Sequence, residues 1–236
     1  MRLFFLIYML LSLSSLCFAS AFSDEHVDPF VVRLLDRTSG LITAAAVISV
    51  AATNPHDDQI RNDWKLHQKM PTQQTAVGDV LGTGAPGLLI AATQYYFDND
   101  EDNYKSHLRA LTYTTLATFS LKYAFGRPRP GESKNRHSFP SGHTSTAFAT
   151  ATALTYSYGW RVGAAAYPIA AFVGLSRLAD DVHWGSDVVA GAFLGFIIAR
   201  ASSYEKSDLT SAQNQIVIFP VLGPSFHGAG LALSFQ

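Results

Sequence analysis

The sequence predicts an all-α protein, a bundle of about six helices followed by a short C-terminal β-hairpin. Three observations carry this expectation. Stretches free of Asp, Glu, Lys and Arg recur along the chain, most of them long enough for helices and too long for strands. They are rich in Ala, Gly, Ser and Thr, which suits close helix packing in water or in lipid. After Arg200 the composition changes, and two short apolar runs flank a turn-rich segment.

Taken in order, Met1 to Ala21 places Arg2 at the head of an apolar run, Leu3 to Leu16, that ends in Ala19, Ser20 and Ala21. This is the layout of a secretory signal peptide. A retained anchor helix is the alternative, although the run is shorter than the ~20 apolar residues a spanning helix needs. The helical segments follow at Thr38 to Pro55, Val80 to Phe97, Ala110 to Leu121, Ser138 to Trp160, Val162 to Ser176 and Val188 to Ala199. Between the first two, Asn54 to Gln74 carries Pro55, Asp57, Asp58 and Pro71 and reads as a surface loop. Asp98 to Asp102 resembles the start of a calcium loop, but no glycine follows at the sixth position and Arg109 stands where a bidentate Glu is needed, so it reads as a solvated loop. Gly82 to Gly87 matches a dinucleotide glycine pattern by letter only, since no strand precedes it. Ser202 to Gln213 is a polar linker. Ile216 to Phe219 and Leu231 to Phe235 form the expected hairpin around Gly223 to Gly228, packed on the helical body.

At 236 residues the chain suits one domain with appendages: an export segment at 1–21, a helical domain at 28–205, and a linker with hairpin at 206–236. A net charge of −1 offers no basic stripe for nucleic acid. Charged residues make up 15% of the chain, against about 25% in typical soluble domains, which points to extensive apolar burial or membrane contact. The single cysteine, Cys17, lies inside the export segment, and cleavage after Ala19 or Ala21 leaves a mature chain without disulfides.

The chemistry is concentrated in three short runs. The first holds Lys122, six further residues, then Arg129-Pro130; the second is Pro140-Ser141-Gly142-His143; the third is Ser176-Arg177, five residues, His183, three residues, Asp187. Three cations are what an anionic phosphate needs, with arginine presenting a planar fork and lysine a compact charge. Pro140 to His143 precedes a long uncharged stretch and so opens a helix, where outward N–H groups and the helix dipole favour an anion. Ser141 and Gly142 are candidates for holding phosphate oxygens, and Ser141 equally fits an N-cap. His183 and Asp187 share a face if His183 begins its helix.

In order, spacing and residue complement, these runs resemble the three-part signature of the type-2 phosphatidic acid phosphatase/haloperoxidase superfamily, which includes bacterial class A acid phosphatases. The motif-bearing resemblance covers about residues 108 to 200. It implies a helical bundle of that type and a phosphatase that needs no metal or other cofactor. Lys122, Arg129, Ser141, Gly142 and Arg177 would bind phosphate. His183 would attack phosphorus to give a phosphohistidine, Asp187 would orient it, and His143 would protonate the leaving group from the opposite side. Nearby cations should lower the pKa of His143 and bound phosphate should raise it, so activity is expected to peak at mildly acidic to neutral pH.

Weaker signals surround these. Arg127 and Arg136 either extend the anion site or belong to a loop stiffened by Arg-Pro repeats, and the loop reading is favoured. His137 has no match in the signature. Asp180 and Trp184 resemble the lipid-phosphatase branch, with Asp180 expected to pair with an active-site arginine. The substrate is therefore expected to be a phosphorylated lipid at the bacterial envelope, with an active site facing the periplasm. A periplasmic enzyme on soluble monoesters, a vanadate-dependent haloperoxidase and a non-catalytic anion binder are the alternatives. No His-x-x-x-His or Cys-x-x-Cys arrangement implies a metal.

Overall fold

Gly185–Ser202 is the helix around which the bundle is built, and its most apolar stretch is 83% buried. The computed structural model describes residues 29–131, 133–203, 215–222 and 227–234. Along them run α1 Pro29–Leu34, α2 Arg37–Thr53, α3 Asp57–Leu66, α4 Thr72–Gly82, α5 Ala85–Phe97, α6 Glu101–Phe125, α7 Gly142–Tyr158, α8 Trp160–Ala179 and α9 Gly185–Ser202.

Eight of these helices have ten residues or more, against the six expected. The six apolar segments lie in α2, α5, α6, α7, α8 and α9. The two extra helices correct the loop reading of Asn54 to Gln74: α3 lies within it and α4 begins in it. The two prolines of this stretch stand at helix edges rather than in helix interiors. Pro55 lies in the one-turn helix before α3, and Pro71 is the residue before α4. Of the α3 charges, Asp57 is buried and Arg61 half-buried, each paired with a residue far along the chain, while Asp58 and Lys65 stay exposed.

Packing is close because the contacting side chains are small. Ala110, Ala149, Ala153 and Ala199 bring α6, α7 and α9 together. Phe148, Val173 and Ala192 centre a second cluster between α7, α8 and α9. Ile60, Trp64, Leu178 and Val188 pin α3 against α8 and α9. Along α9, Gly191 and Gly195 leave no room for side chains. A Cβ at Gly191 would stand 2.6 Å from the Ser141 carbonyl oxygen, and one at Gly195 would stand 2.2 Å from that of Ser145. The two helix backbones therefore touch directly, as small-xxx-small pairs allow. At the far end of α9, Arg200 reaches Asp36, the N-cap of α2, at 2.7 Å.

The outside of the bundle is apolar. Leu41, Ile48, Leu88, Leu89, Leu116, Phe119 and Ile169 are all exposed, on α2, α5, α6 and α8. Exposed apolar surface spread over several helices marks contact with a partner or a membrane. α8 and α9 are long and apolar enough to cross a membrane, and α4 with α5 would make a third span if that pair, bent by 49°, counts as one. α8 is only 39% buried over its apolar window, so one of its faces is left to the surroundings.

Past the bundle, β1 Gln215–Leu222 runs antiparallel to β2 His227–Ser234, with Gln215 opposite Ser234 and Leu222 opposite His227. The turn at 223–226, the linker residues 204–214 and the export segment at 1–21 lie outside the described residues.

Candidate active site

The ends of four helices meet at one end of the bundle. α6 brings Lys122 in its last turn, α7 starts at Gly142-His143, α8 brings Arg177 in its last turn, and α9 starts two residues after His183. The loop from Gly126 to Ser141 carries Arg127 and Arg129 across the same region.

His183 and Asp187 meet, though not along one helix face. His183 precedes α9, whose N-cap is Trp184, and Asp187 occupies the first turn. Asp187 accepts from the Trp184 backbone N–H at 3.0 Å, and the same Oδ2 lies 3.5 Å from His183 Nδ1. The pairing is thus a product of helix capping, and Nδ1 facing the carboxylate leaves Nε2 as the outward nitrogen. Ser138 donates to Asp187 Oδ2 at 2.5 Å and lies 3.4 Å from His183 Nδ1. Both members of the pair are buried. Burial pulls His183 down to about 4, against the opposing effect of Asp187, so the imidazole is neutral at neutral pH.

The carboxylate has its own support. Arg127 donates to Asp187 Oδ1 and to Ser186 Oγ, both at 2.7 Å, and through Nη2 to Asp57 Oδ2 at 2.7 Å. Asp57 in turn accepts from Ser186 N at 2.9 Å and Ser186 Oγ at 2.5 Å. Two buried carboxylates share one guanidinium. This corrects the reading of Arg127 as a loop stiffener, since it is an ion-pair partner inside the site. Trp184 covers it at 5.4 Å, with Arg61 of α3 on the same ring at 5.8 Å. Arg61 itself pairs with Asp181 at 2.6 Å.

His143 lies on the other side and is a third exposed. Its Nε2 is 3.1 Å from Asp79 Oδ1 of α4. The same carboxylate oxygen accepts from Arg177 Nη1, while Nη2 of Arg177 donates to Thr75 O at 3.0 Å and meets Asp180 at 3.1 Å. Asp180 thus pairs with Arg177, the pairing that the resemblance to the lipid-phosphatase branch implies. α4 comes this close because residue 82 is glycine, where a Cβ would stand 2.6 Å from His143 Cβ. His143 sits below its ordinary value, first through burial and then through Arg177, with Asp79 pulling the other way.

Lys122 Nζ donates to the carbonyls of His137 at 2.8 Å and Pro140 at 2.7 Å, fixing the loop before α7. Burial, then Arg129, lowers it to about 8, with Asp187 opposing. Arg129 is lowered too, by burial, and its buried Nε has no partner. An unpaired buried guanidinium nitrogen is a donor awaiting an acceptor. Ser141 does not cap α7 through its side chain; its Oγ accepts from Thr144 Oγ1 at 2.9 Å and its N–H donates to Asp187 O at 3.0 Å. At Gly142 a Cβ would meet Thr118 at 3.6 Å and Lys122 Cε at 3.8 Å, so protein packing does not force glycine there. The first N–H groups of α7 have no acceptor within the helix. Arg136 and His137 stay at the exposed rim, where the His137 ring meets Tyr123 at 4.8 Å.

Every residue of the three runs therefore converges, and Arg127, Asp57, Ser138 and Asp79 join them. The PAP2 superfamily pattern matches residues 104–210. This stretch holds all three runs and every helix end described above except that of α4. The chain is similar to lipid A 1-phosphatase of Porphyromonas gingivalis, 45% identical over 91 residues, covering 37% of this chain and 20% of that protein. It is also similar to lipid phosphate phosphatase 1 of Arabidopsis thaliana, 32% identical over 133 residues, covering 39% and 41%. The matched stretches thus span between a fifth and two fifths of those relatives. Among solved structures, the transmembrane PAP2-type phosphatidylglycerolphosphate phosphatase of Bacillus subtilis superposes with a TM-score of 0.57 at 22% identity, over 73% of this chain and 96% of that one. That likeness supports the PAP2 helical fold. The C-terminal strands fall beyond the matched residues and draw no support from these comparisons.

Proposed function

We propose that this chain is a phosphatase that cleaves a phosphomonoester or diphosphate of a lipid through a phosphohistidine, without a metal, at the bacterial envelope. The observation that carries the proposal is the convergence of Lys122, Arg129 and Arg177 on the start of α7 between two imidazoles in unlike surroundings. Catalysis of phosphoryl transfer is mostly positioning and charge stabilisation, and three cations with free helix N–H groups supply both.

His183 Nε2 attacks phosphorus while the bond from phosphorus to the leaving oxygen breaks. The proton of His143 goes to that oxygen, and the alcohol or phosphate leaves. A water then attacks the phosphohistidine, giving its proton to His143 as the N–P bond breaks, and orthophosphate departs. His183 begins neutral because it is buried, as a nucleophile must. Asp187, held by Arg127 and Ser138, keeps Nδ1 as the donor and matches the positive charge that develops on the ring. His143 starts below its ordinary value and is raised when a phosphate dianion enters.

The exposed apolar faces of α2, α5, α6 and α8, together with relatives that act on lipid phosphates, favour a lipid substrate. Residues 28–205 would form the catalytic domain, and the segment at 1–21 would direct export so that the site faces the periplasm. The test is a panel of phosphatidate, phosphatidylglycerol phosphate, an isoprenyl diphosphate, a lipid A phosphate and a soluble aryl phosphate, assayed with EDTA on the full chain from membrane fractions. Orthophosphate release from a lipid, unaffected by EDTA, is expected. Turnover of the aryl phosphate alone would make it a soluble-ester phosphatase. Halide oxidation with vanadate and peroxide would make it a haloperoxidase.

A further inference from the structure

Asp79 stands outside the three motif runs and outside the matched residues 104–210, yet it touches two members of the site at once. Its side chain is 55% exposed, whereas Arg177 beside it is buried. One carboxylate oxygen, Oδ1, faces both His143 Nε2 and Arg177 Nη1. These are the two groups that, in the phosphatase reading, must face the substrate: one gives its proton to the leaving oxygen and the other binds a phosphate oxygen. A carboxylate oxygen bridging them has the charge and the hydrogen-bonding capacity of a phosphate oxygen.

Resting on that phosphatase reading, we infer that Asp79 is a positioning residue that stands in for substrate: it holds Arg177 and the His143 imidazole in place before substrate binds and hands both to the incoming phosphate. Two consequences follow, with opposite signs for activity. Asp79 competes with the phosphate for Arg177 and so weakens binding. It also faces His143 Nε2, which it supplies with an acceptor, and so favours the protonated ring. The other charged groups around His143 all act against that proton: Arg177 from α8, Arg129 from the loop after α6, and Lys122 from α6. Among the described residues, Asp79 is the carboxylate set against them. α4 is fitted for this role, because Gly82, three residues on, lets the helix lie directly on His143. The exposed carboxylate can swing away without unpacking a core.

The experiment compares the full-length wild type with Asp79→Asn and Asp79→Glu in phosphatidylcholine vesicles. Phosphatidate turnover is followed across pH, and orthophosphate binding is measured separately by calorimetry. Asp79→Asn should bind orthophosphate about fivefold more tightly, as expected for loss of a partly exposed ion pair, and should lower KM in step. The alkaline limb of its kcat/KM profile should move down by about half a pH unit, whereas that of kcat, set after Asp79 has given way to the phosphate, should stay in place. Asp79→Glu keeps the charge and should restore the alkaline limb in part. A simple strut would instead lower the melting temperature and leave the anion affinity and the alkaline limb unmoved; that result, or weaker anion binding in Asp79→Asn, overturns the inference. If the wild type releases no phosphate while Asp79→Asn still binds orthophosphate more tightly, the phosphatase reading fails and the placeholder role of Asp79 stands. If turnover is normal and Asp79→Asn changes neither binding nor profile, the reverse holds.

Discussion

The two histidines of the site live in opposite conditions. His183 is buried against Asp187, and that carboxylate is held by Ser138, the Trp184 N–H and Arg127, which Asp57 holds in turn. His143 is a third exposed and leans on Asp79, a carboxylate more than half open to solvent. The difference fits the two tasks proposed for them. A nucleophile must point one way throughout, so a chain of buried partners that cannot rearrange serves it. A proton donor must change partners as substrate arrives, and an exposed partner makes that exchange cheap in free energy.

The comparison can be broken from either side. His183→Ala removes the attacking nitrogen and should lower turnover by about 10⁴-fold or more, with no trapped phosphoenzyme after rapid quench with labelled substrate. Next comes the brace. Arg127→Ala leaves Asp57 and Asp187 as two buried carboxylates without their shared cation, which should cost about 3–5 kcal/mol of stability by thermal unfolding and carry most of the activity with it. On the open side, His143→Gln should lower kcat by about 10²-fold on alkyl phosphates. It should lower kcat less on an aryl phosphate, whose leaving group needs no proton. Equal losses on both substrates would remove His143 from the acid role. The smallest effect is on pH. Because His183 titrates near 4 in the folded chain and near 6.5 when free, the unfolded chain binds the extra proton between those values. The stability linked to this ring is therefore complete above about 6.5 and is lost as pH falls toward about 4; a pH series of melting temperatures should show it, and His183→Ala should flatten it.

How much of this was legible in the sequence follows from the range of each interaction. The apolar segments announce their helices because burial is a local property of composition, and the three motif runs announce the site because each is contiguous. α3 was hidden since its aspartates and basic residues look solvated one by one; only in the fold do Asp57 and Arg61 find Arg127 and Asp181. Arg127 looked like loop stiffening for the same reason, its partners being 60 and 70 residues away. Asp79 carried no signal at all. It precedes its partners by 98 residues for Arg177 and shares no spacing pattern with them. His183 and Asp187 would share a helix face only if His183 began the helix; it precedes the N-cap instead, and the cap brings the two side chains together.

The bare backbone contact between α7 and α9 has a last consequence. Gly191 lies against the Ser141 carbonyl, and Ser141 N–H bonds to Asp187 O, so the helix bearing one imidazole and the helix behind the other are spliced within a turn of the reacting atoms. The gap in which the proposed in-line displacement would take place is thereby gauged by two missing side chains. A methyl group at Gly191 or Gly195 would act as a shim, widening the jaws of the site while leaving every reacting residue in the chain.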